Sequence, residues 1–154
     1  MAFLTWEELP AGLAIRGRFI GQAPYFAVHL RATNFHGLAW LLADTGASRT
    51  TLLDRDAMHL GITTEALEPA PLPIVGVGGS VRSFLLRGVE ITLPSEKGDV
   101  TLRDDLWIAQ HDLLRLPSEE AARILRLPSL LGRDVINNFR LTCDYRSGVV
   151  LLER

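Results

Sequence analysis

Short apolar segments, several of them alternating with polar residues, recur along the chain and are typical of β-strands. The predicted strands lie at 13–20, 25–33, 38–43, 50–53, 88–93, 100–109, 139–145 and 149–152, and a glycine-rich hairpin is predicted at 74–86. The run 38–43 is apolar throughout and follows a predicted turn at 34–37, so it is interpreted as a buried strand. Strands of this number and length in one domain predict a mainly β, barrel-like fold.

Two or three short helices are expected between the strands. Asp54 is positioned to cap a brief helix that ends at Gly61. A longer helix is predicted over 118–127, with Ser118 as its cap and a proline after its end. Another is predicted over 133–138, whereas the residues before 13 predict only a loose or helical lead-in.

The composition indicates a folded domain and argues against several functional classes. The 154 residues are 47% hydrophobic and 22% charged, which is enough apolar sequence to bury a core. The net charge is -2 and no basic block occurs, so neither nucleic acid nor an anionic membrane is an expected partner. The N-terminus lacks the pattern of a signal peptide and no apolar run is long enough to span a bilayer, which favours a cytoplasmic protein.

Several single residues are assigned structural roles. Cys143, the single cysteine, lies in a predicted strand and is expected to be a buried small hydrophobe. Trp40 is expected to pack in the core. The histidines have no ligand spacing and are interpreted as structural or surface residues: His29, His36, His59 and His111. Neither a metal site nor a cofactor is therefore expected.

The strongest chemical signal is Asp44, which directly follows the apolar run 38–43. Burying a carboxylate is costly unless the group is paired or hydrogen-bonded, so a carboxylate at this place is unusual. Gly46 allows the backbone to turn and to bring an amide close to that carboxylate. The alternative is that Asp44 opens an ordinary turn, which Thr45 and Gly46 complete.

Two further motifs follow Asp44 along the chain. Residues 74–80 place closely spaced glycines among apolar residues and predict a hairpin with a tip that can bend, as a lid over a substrate must. A phosphate-binding loop is disfavoured because no helix follows and no lysine ends the motif, while an ordinary glycine hairpin stays open as an alternative. Residues 130–134 run from two leucines into Gly132 and Arg133, and alone they indicate only a strand-to-helix junction.

The order and spacing of these three motifs resemble the retropepsin family, which comprises the retroviral proteases and their cellular relatives. In that family an apolar strand enters Asp-Thr/Ser-Gly-Ala, a glycine-rich flap follows, and an apolar-apolar-Gly-Arg element precedes a short helix. The resemblance covers residues 25–152, and the final hairpin is similar to that of bacterial members. The chain is accordingly divided into an N-terminal extension with the first strand, 1–24, and a retropepsin-like part, 25–154, within a single domain.

The resemblance implies a closed barrel that forms one catalytic half of a homodimeric aspartic endopeptidase, which cleaves a peptide or protein substrate without metal or cofactor. In this family two carboxylates share a proton, and because the chain has one Asp-Thr-Gly, a second copy would supply the other carboxylate. The catalytic residues implied are Asp44, Thr45 and Gly46. The substrate-binding residues implied are Ala47, Ser48, Val75, Gly76, Val77, Gly78, Gly79 and Leu131, and the structural residues implied are Gly132 and Arg133.

The sequence departs from the retroviral pattern in three places. Ser48 stands where many retroviral members have an acidic residue that pairs with the arginine of the later motif, which leaves the partner of Arg133 open. The segment 107–127 is longer and includes a helix, and the extension before Tyr25 has no retroviral counterpart. Two alternatives therefore stay open: a non-catalytic dimer that serves as a binding module, and a self-processing regulator that cleaves only its own precursor or one partner.

Overall fold

The computed structural model describes residues 3–63, 65, 67–72, 74–76 and 79–154, and for 74–76, 79 and 80 it describes the backbone alone. The strands are β1 (Ala14–Arg16), β2 (Arg18–Ile20), β3 (Ala23–Ala32), β4 (Phe35–Ala43), β5 (Thr51–Leu52), β6 (Glu68–Pro69), β7 (Ile74–Gly76), β8 (Gly79–Leu93), β9 (Val100–Gln110), β10 (Ser129–Leu131), β11 (Arg140–Asp144) and β12 (Val149–Glu153). The α-helices are α1 (Asp54–His59), α2 (Ser118–Ile124) and α3 (Arg133–Ile136). Single turns of 3-10 helix lie at Trp6–Glu8 and Leu113–Arg115. The predicted mainly β class with short helices is confirmed.

Six of the strands form a ring of hydrogen-bonded neighbours. β3 pairs with β4, β4 with β10, β10 with β5, β5 with β9, and β9 with β8. β8 then pairs with β3 through His29 opposite Thr92 and Leu30 opposite Ile91, which returns the ring to its start. Such a return is the closure that a barrel requires.

Alternation with a period of two directs one set of side chains into the ring. In β3, Phe26, Val28 and Leu30 are each 1% exposed, and the residues between them are half-buried. Leu102 and Leu106 of β9 are equally enclosed. Burying each side chain of this size contributes about 1.5–3 kcal/mol. Because a shift of one residue would turn the whole set to the other face, the register of these strands is strongly specified.

The N-terminal extension packs on the barrel and belongs to the same core. Trp6 Nε1 donates a hydrogen bond to the carboxylate of Asp104 in β9 at 2.8 Å. The guanidinium of Arg154 donates to two backbone carbonyls of the extension, at 2.9 and 2.7 Å. Leu9 and Leu13 are each 4% exposed within the core cluster, and β1 pairs with β12. Of the two alternatives that the sequence left open for residues 1–12, a loose or a helical lead-in, the structure favours the second in part: the segment is packed on the barrel and includes the 3-10 turn Trp6–Glu8.

Two predicted helix caps are wrong. Asp54 is the first residue of α1, and its carboxylate accepts the His111 amide at 2.9 Å and lies 2.6 Å from His111 Nδ1. The Asp54 carboxylate, which local sequence assigned to the start of the helix, is thus buried and bonds to half-buried His111, far along the chain. Ser118 is likewise the first residue of α2, after Pro117, and α2 ends earlier than predicted, at Ile124. Among the described residues, no helix is long and apolar enough to cross a membrane.

Three local expectations differ from the structure because of strand register. The turn after β3 is shorter than predicted, since Phe35 already pairs in β4 and is 8% exposed. Trp40 alternates with buried Leu41 and so lies outside the core, half-buried, with the Arg18 guanidinium 4.3 Å from its ring centroid. Cys143 is exposed rather than buried, because β11 is an edge strand of the three-stranded sheet β1-β12-β11.

Candidate active site

Asp44 lies at the point where β4 leaves the barrel. β4 and β10 run parallel, with Leu42 opposite Leu130, and the Asp44 amide continues this pairing by donating to the Leu131 carbonyl at 3.0 Å. The chain after β4 and the chain after β10 therefore emerge side by side. Asp44 is half-buried.

A tight turn places a backbone donor against the Asp44 carboxylate. The Gly46 amide donates to Asp44 Oδ1 at 2.8 Å, and the Ala47 amide donates to the Asp44 carbonyl at 3.1 Å. A Cβ at position 46 would lie 3.1 Å from the same Oδ1, closer than ordinary van der Waals contact. The turn thus holds the carboxylate in a defined orientation and favours glycine at 46.

Arg133 ties the turn to the chain that follows β10. Its amide donates to the Ala47 carbonyl at 2.8 Å, and its Nη1 donates to the Thr45 carbonyl at 3.0 Å. The partner of the Arg133 side chain, which the sequence left open, is therefore the backbone carbonyl of Thr45. Because this contact uses main-chain oxygen, it does not depend on the residue type at 45.

Asp134 and Thr50 make a second connection, which the sequence did not indicate. Asp134 Oδ1 accepts hydrogen bonds from the Thr50 amide at 2.9 Å, from Thr50 Oγ1 at 2.8 Å and from the Val135 amide at 3.0 Å. Thr50 Oγ1 in turn accepts the Gly132 amide at 3.0 Å. Thr50 is 7% exposed, and a buried hydroxyl needs a partner. In the sequence, the only sign of this connection is a polar residue at the start of the predicted strand 50–53.

The other residues predicted around Asp44 have different exposures. Thr45, Gly46 and Ser48 are exposed on the described chain, and Ala47 is half-buried. Leu131, predicted to bind substrate, is 2% exposed and belongs to the core cluster of this chain. Its neighbour Leu130 is half-buried and, by the alternation of β10, lies on the opposite face.

The glycine-rich segment forms the predicted hairpin. β7 and β8 pair antiparallel, with Val75 opposite Ser80 and Gly76 opposite Gly79. These pairings concern the backbone alone, and the predicted substrate contacts Val77 and Gly78 lie outside the described residues. The hairpin continues through β8 into the barrel, so its base is anchored by the pairing of β8 with β9.

Polar clusters outside the Asp44 turn have structural partners. Asp54 and His111 form the pair described above, on one wall of a cavity of about 340 Å³ between α1 and the end of β9.

Two residues at the end of β11 have shifted pKa values. The Ser147 hydroxyl, with the amides of Ser147 and Arg146, lowers the pKa of the Asp144 carboxyl, and partial burial raises the pKa of the Cys143 thiol. Within the described ranges, no three His, Cys, Asp or Glu side chains converge as metal ligands would.

Two solved structures resemble the chain in fold. A retropepsin-like aspartic protease from Rickettsia conorii matches with a TM-score of 0.54 and 18% identity, over 90% of this chain and 87% of that chain. EIAV protease complexed with the inhibitor HBY-793 matches with a TM-score of 0.48 and 19% identity, over 77% of this chain and 89% of that chain. No protein-family model and no curated protein matches the sequence. The fold of this chain is retropepsin-like, and Asp44 lies at the strand end where the sequence motif predicted it.

Proposed function

We propose that this chain is an aspartic endopeptidase whose active site forms between two copies, each supplying Asp44. The observation that supports the proposal is a half-buried carboxylate, oriented by the Gly46 amide, in a turn whose Thr45, Gly46 and Ser48 are exposed. An exposed turn at this place leaves room for the same turn of a second chain. A two-fold axis through this surface would bring the two carboxylates together.

The proposed chemistry uses the two carboxylates and one water molecule. With one proton shared between them, the ionised Asp44 takes a proton from the water while its protonated counterpart donates to the carbonyl oxygen of the substrate. The water oxygen bonds to the carbonyl carbon in the same step and gives a diol intermediate. When the diol collapses, the carboxyl that holds the water proton gives it to the leaving amine, the other carboxylate takes a proton from a hydroxyl of the diol, and the C–N bond breaks. Thr45 would brace the two turns against each other, and Gly46 would keep the carboxylates coplanar.

The substrate would bind as an extended peptide between the turn and the hairpin of β7 and β8. We assign the hairpin as a flap that closes over the peptide and excludes water. Ala47, Ser48 and the described backbone of Val75, Gly76 and Gly79 are the proposed contacts. Leu130 replaces Leu131 as the proposed apolar contact from β10, because Leu131 is enclosed in the core.

Cleavage of a peptide library by the wild type and by Asp44→Asn tests the reaction. Asparagine keeps the shape of the side chain but cannot relay a proton, so we expect cleavage by the wild type alone. The rate should peak at mildly acidic pH, because only the singly protonated pair contains both a base and an acid. A wild type that cleaves no peptide at about pH 4 to 7 would leave the non-catalytic dimer as the better description.

Mixing the two proteins tests whether the site is shared. If each site needs two Asp44 carboxylates, an equal mixture that exchanges subunits should retain about a quarter of the wild-type rate at the same total concentration. Independent sites would retain about half of that rate. Sedimentation at micromolar concentration should show twice the mass of one chain, and a strict monomer with full activity would contradict the proposal.

A further inference from the structure

We propose that Asp134 is a positioning residue for the Asp44 turn and that it acts as a hydrogen-bond acceptor, with no requirement for its charge. The inference rests on the proposed protease activity. Asp134 is neither in the turn nor in the hairpin, and nothing in the sequence motif assigns it a role. Its carboxylate connects two stretches of chain that are 84 residues apart.

One oxygen atom holds this connection. Asp134 Oδ1 accepts the Thr50 amide, the Thr50 hydroxyl and the Val135 amide, at 2.9, 2.8 and 3.0 Å. The hydroxyl that Asp134 holds then accepts the Gly132 amide at 3.0 Å. These hydrogen bonds join Thr50, in the chain that leaves the Asp44 turn, to Gly132, Asp134 and Val135 at the start of α3. We call this hydrogen-bond network the circuit.

The circuit reaches the turn through the residues next to it. Gly132 is followed by Arg133, whose amide and guanidinium bond to the carbonyls of Ala47 and Thr45. Thr50 lies at the other end of the segment 44–50, which contains the Asp44 turn. Because both ends of the turn are tied to the circuit, its release would let the turn shift relative to β10. A misplacement of about 1 Å at a catalytic group can cost about 100-fold in rate.

Charge is not needed for these contacts. Within the described residues, the hydrogen bonds to the Asp134 side chain all reach Oδ1, and no cationic side chain lies within 4.0 Å of the carboxylate. An asparagine presents the same carbonyl oxygen to the same donors. Asp134 is half-buried, so the NH2 group of an asparagine would have access to water at that place. The neutral variant should therefore preserve the circuit, whereas alanine removes the acceptor.

Steady-state kinetics of Asp134→Ala and Asp134→Asn separate this role from a general loss of stability. On a peptide that the wild type cleaves, we expect kcat to fall by about 10- to 100-fold in Asp134→Ala with little change in KM, because Asp134 touches no substrate. In Asp134→Asn, kcat should stay within about threefold of the wild type. Thr50→Val should resemble Asp134→Ala, and Thr50→Ser should resemble the wild type. The matched control is Asp112→Ala, an exposed carboxylate paired with Arg115, which should change neither constant.

Amide hydrogen exchange measures the circuit without any substrate. The amides of Thr50 and Gly132 should exchange faster in Asp134→Ala than in the wild type and in Asp134→Asn, under conditions where all three are folded. Unchanged exchange, or an Asp134→Ala with wild-type kcat, overturns the inference. An Asp134→Asn as slow as Asp134→Ala would show that the charge is required, and so also overturns it. A wild type that cleaves no peptide contradicts the proposed function itself. In that case the amide exchange rates of Thr50 and Gly132 in the variants still test whether the Asp134 hydrogen bonds order the turn.

Discussion

Gly132→Ala changes the contact between the Asp44 turn and the chain that follows β10 by one methyl group. A Cβ at Gly132 would lie 2.5 Å from the carbonyl carbon of Arg49, 2.7 Å from the Arg49 oxygen and 2.9 Å from the Thr50 nitrogen. These are backbone atoms, so no side chain can rotate to make room. The backbone at Gly132, with φ -96° and ψ -177°, is extended and open to any residue. The cost of the substitution is therefore steric.

The magnitude follows from two opposing terms. Forcing a methyl group into a packed site costs about 1–3 kcal/mol, and contact with rigid backbone places Gly132→Ala at the upper end. Alanine also lowers the conformational entropy of the unfolded chain, which stabilises the folded protein by about 0.4–1 kcal/mol. The expected net loss is about 2 kcal/mol. For a domain of this size that corresponds to a fall in Tm of about 4–8 °C.

Gly37→Ala is the matched control for this experiment. Its Cβ would also approach another atom at 2.5 Å, but that atom is Leu60 Cδ2, the far end of a flexible side chain. Rotation of Leu60 can relieve the contact, so the Tm should change by less than about 2 °C. Both variants are to be melted at the same protein concentration, since association stabilises the folded chain. The steric reasoning would be refuted if the Tm of Gly132→Ala lay within about 2 °C of the wild-type Tm, or if it were no lower than the Tm of Gly37→Ala.

Three further predictions concern residues outside the Asp44 turn. Trp6→Phe removes the indole donor to half-buried Asp104 and should lower the free energy of unfolding by about 1 kcal/mol in urea titrations; an unchanged midpoint would mean that the bond adds nothing. The Ser147 hydroxyl and nearby amides lower the pKa of Asp144 in the folded state. The ionised carboxylate therefore contributes to folding stability above its unfolded-state pKa, and this contribution is lost as the pH falls through its folded-state pKa. The Tm difference between the wild type and Asp144→Asn should accordingly be largest at neutral pH and vanish in acid, and a difference that grows on acidification would contradict this sign. The exposed Cys143 should react with a thiol reagent in the folded protein, but more slowly than free cysteine at neutral pH because its raised pKa leaves less thiolate; reaction only after unfolding would contradict the exposure.

Much of the architecture was predictable because strand formation leaves a local signal. The partial alternation of apolar and polar residues predicts a strand at 25–33, and in β3 Phe26, Val28 and Leu30 form its buried face. The apolar run before Asp44 predicts the strand that ends at the carboxylate, and the glycines at 76 and 79 predict the hairpin. Each of these signals lies within a window of a few residues, which is the range over which backbone periodicity acts.

The partners of individual side chains were decided by the tertiary structure alone. Asp54 looks like a helix cap in sequence but binds His111, and Arg133 finds the Thr45 carbonyl in place of an acid. Leu131 and Leu130 are the same residue type, yet the pairing of β10 with β4 buries the first and turns the second to the other face. Such contacts join residues far apart in sequence, and they depend on the register of the whole ring of strands. The sequence by itself therefore determined where the carboxylate stands, whereas the closed sheet determined which groups hold it there.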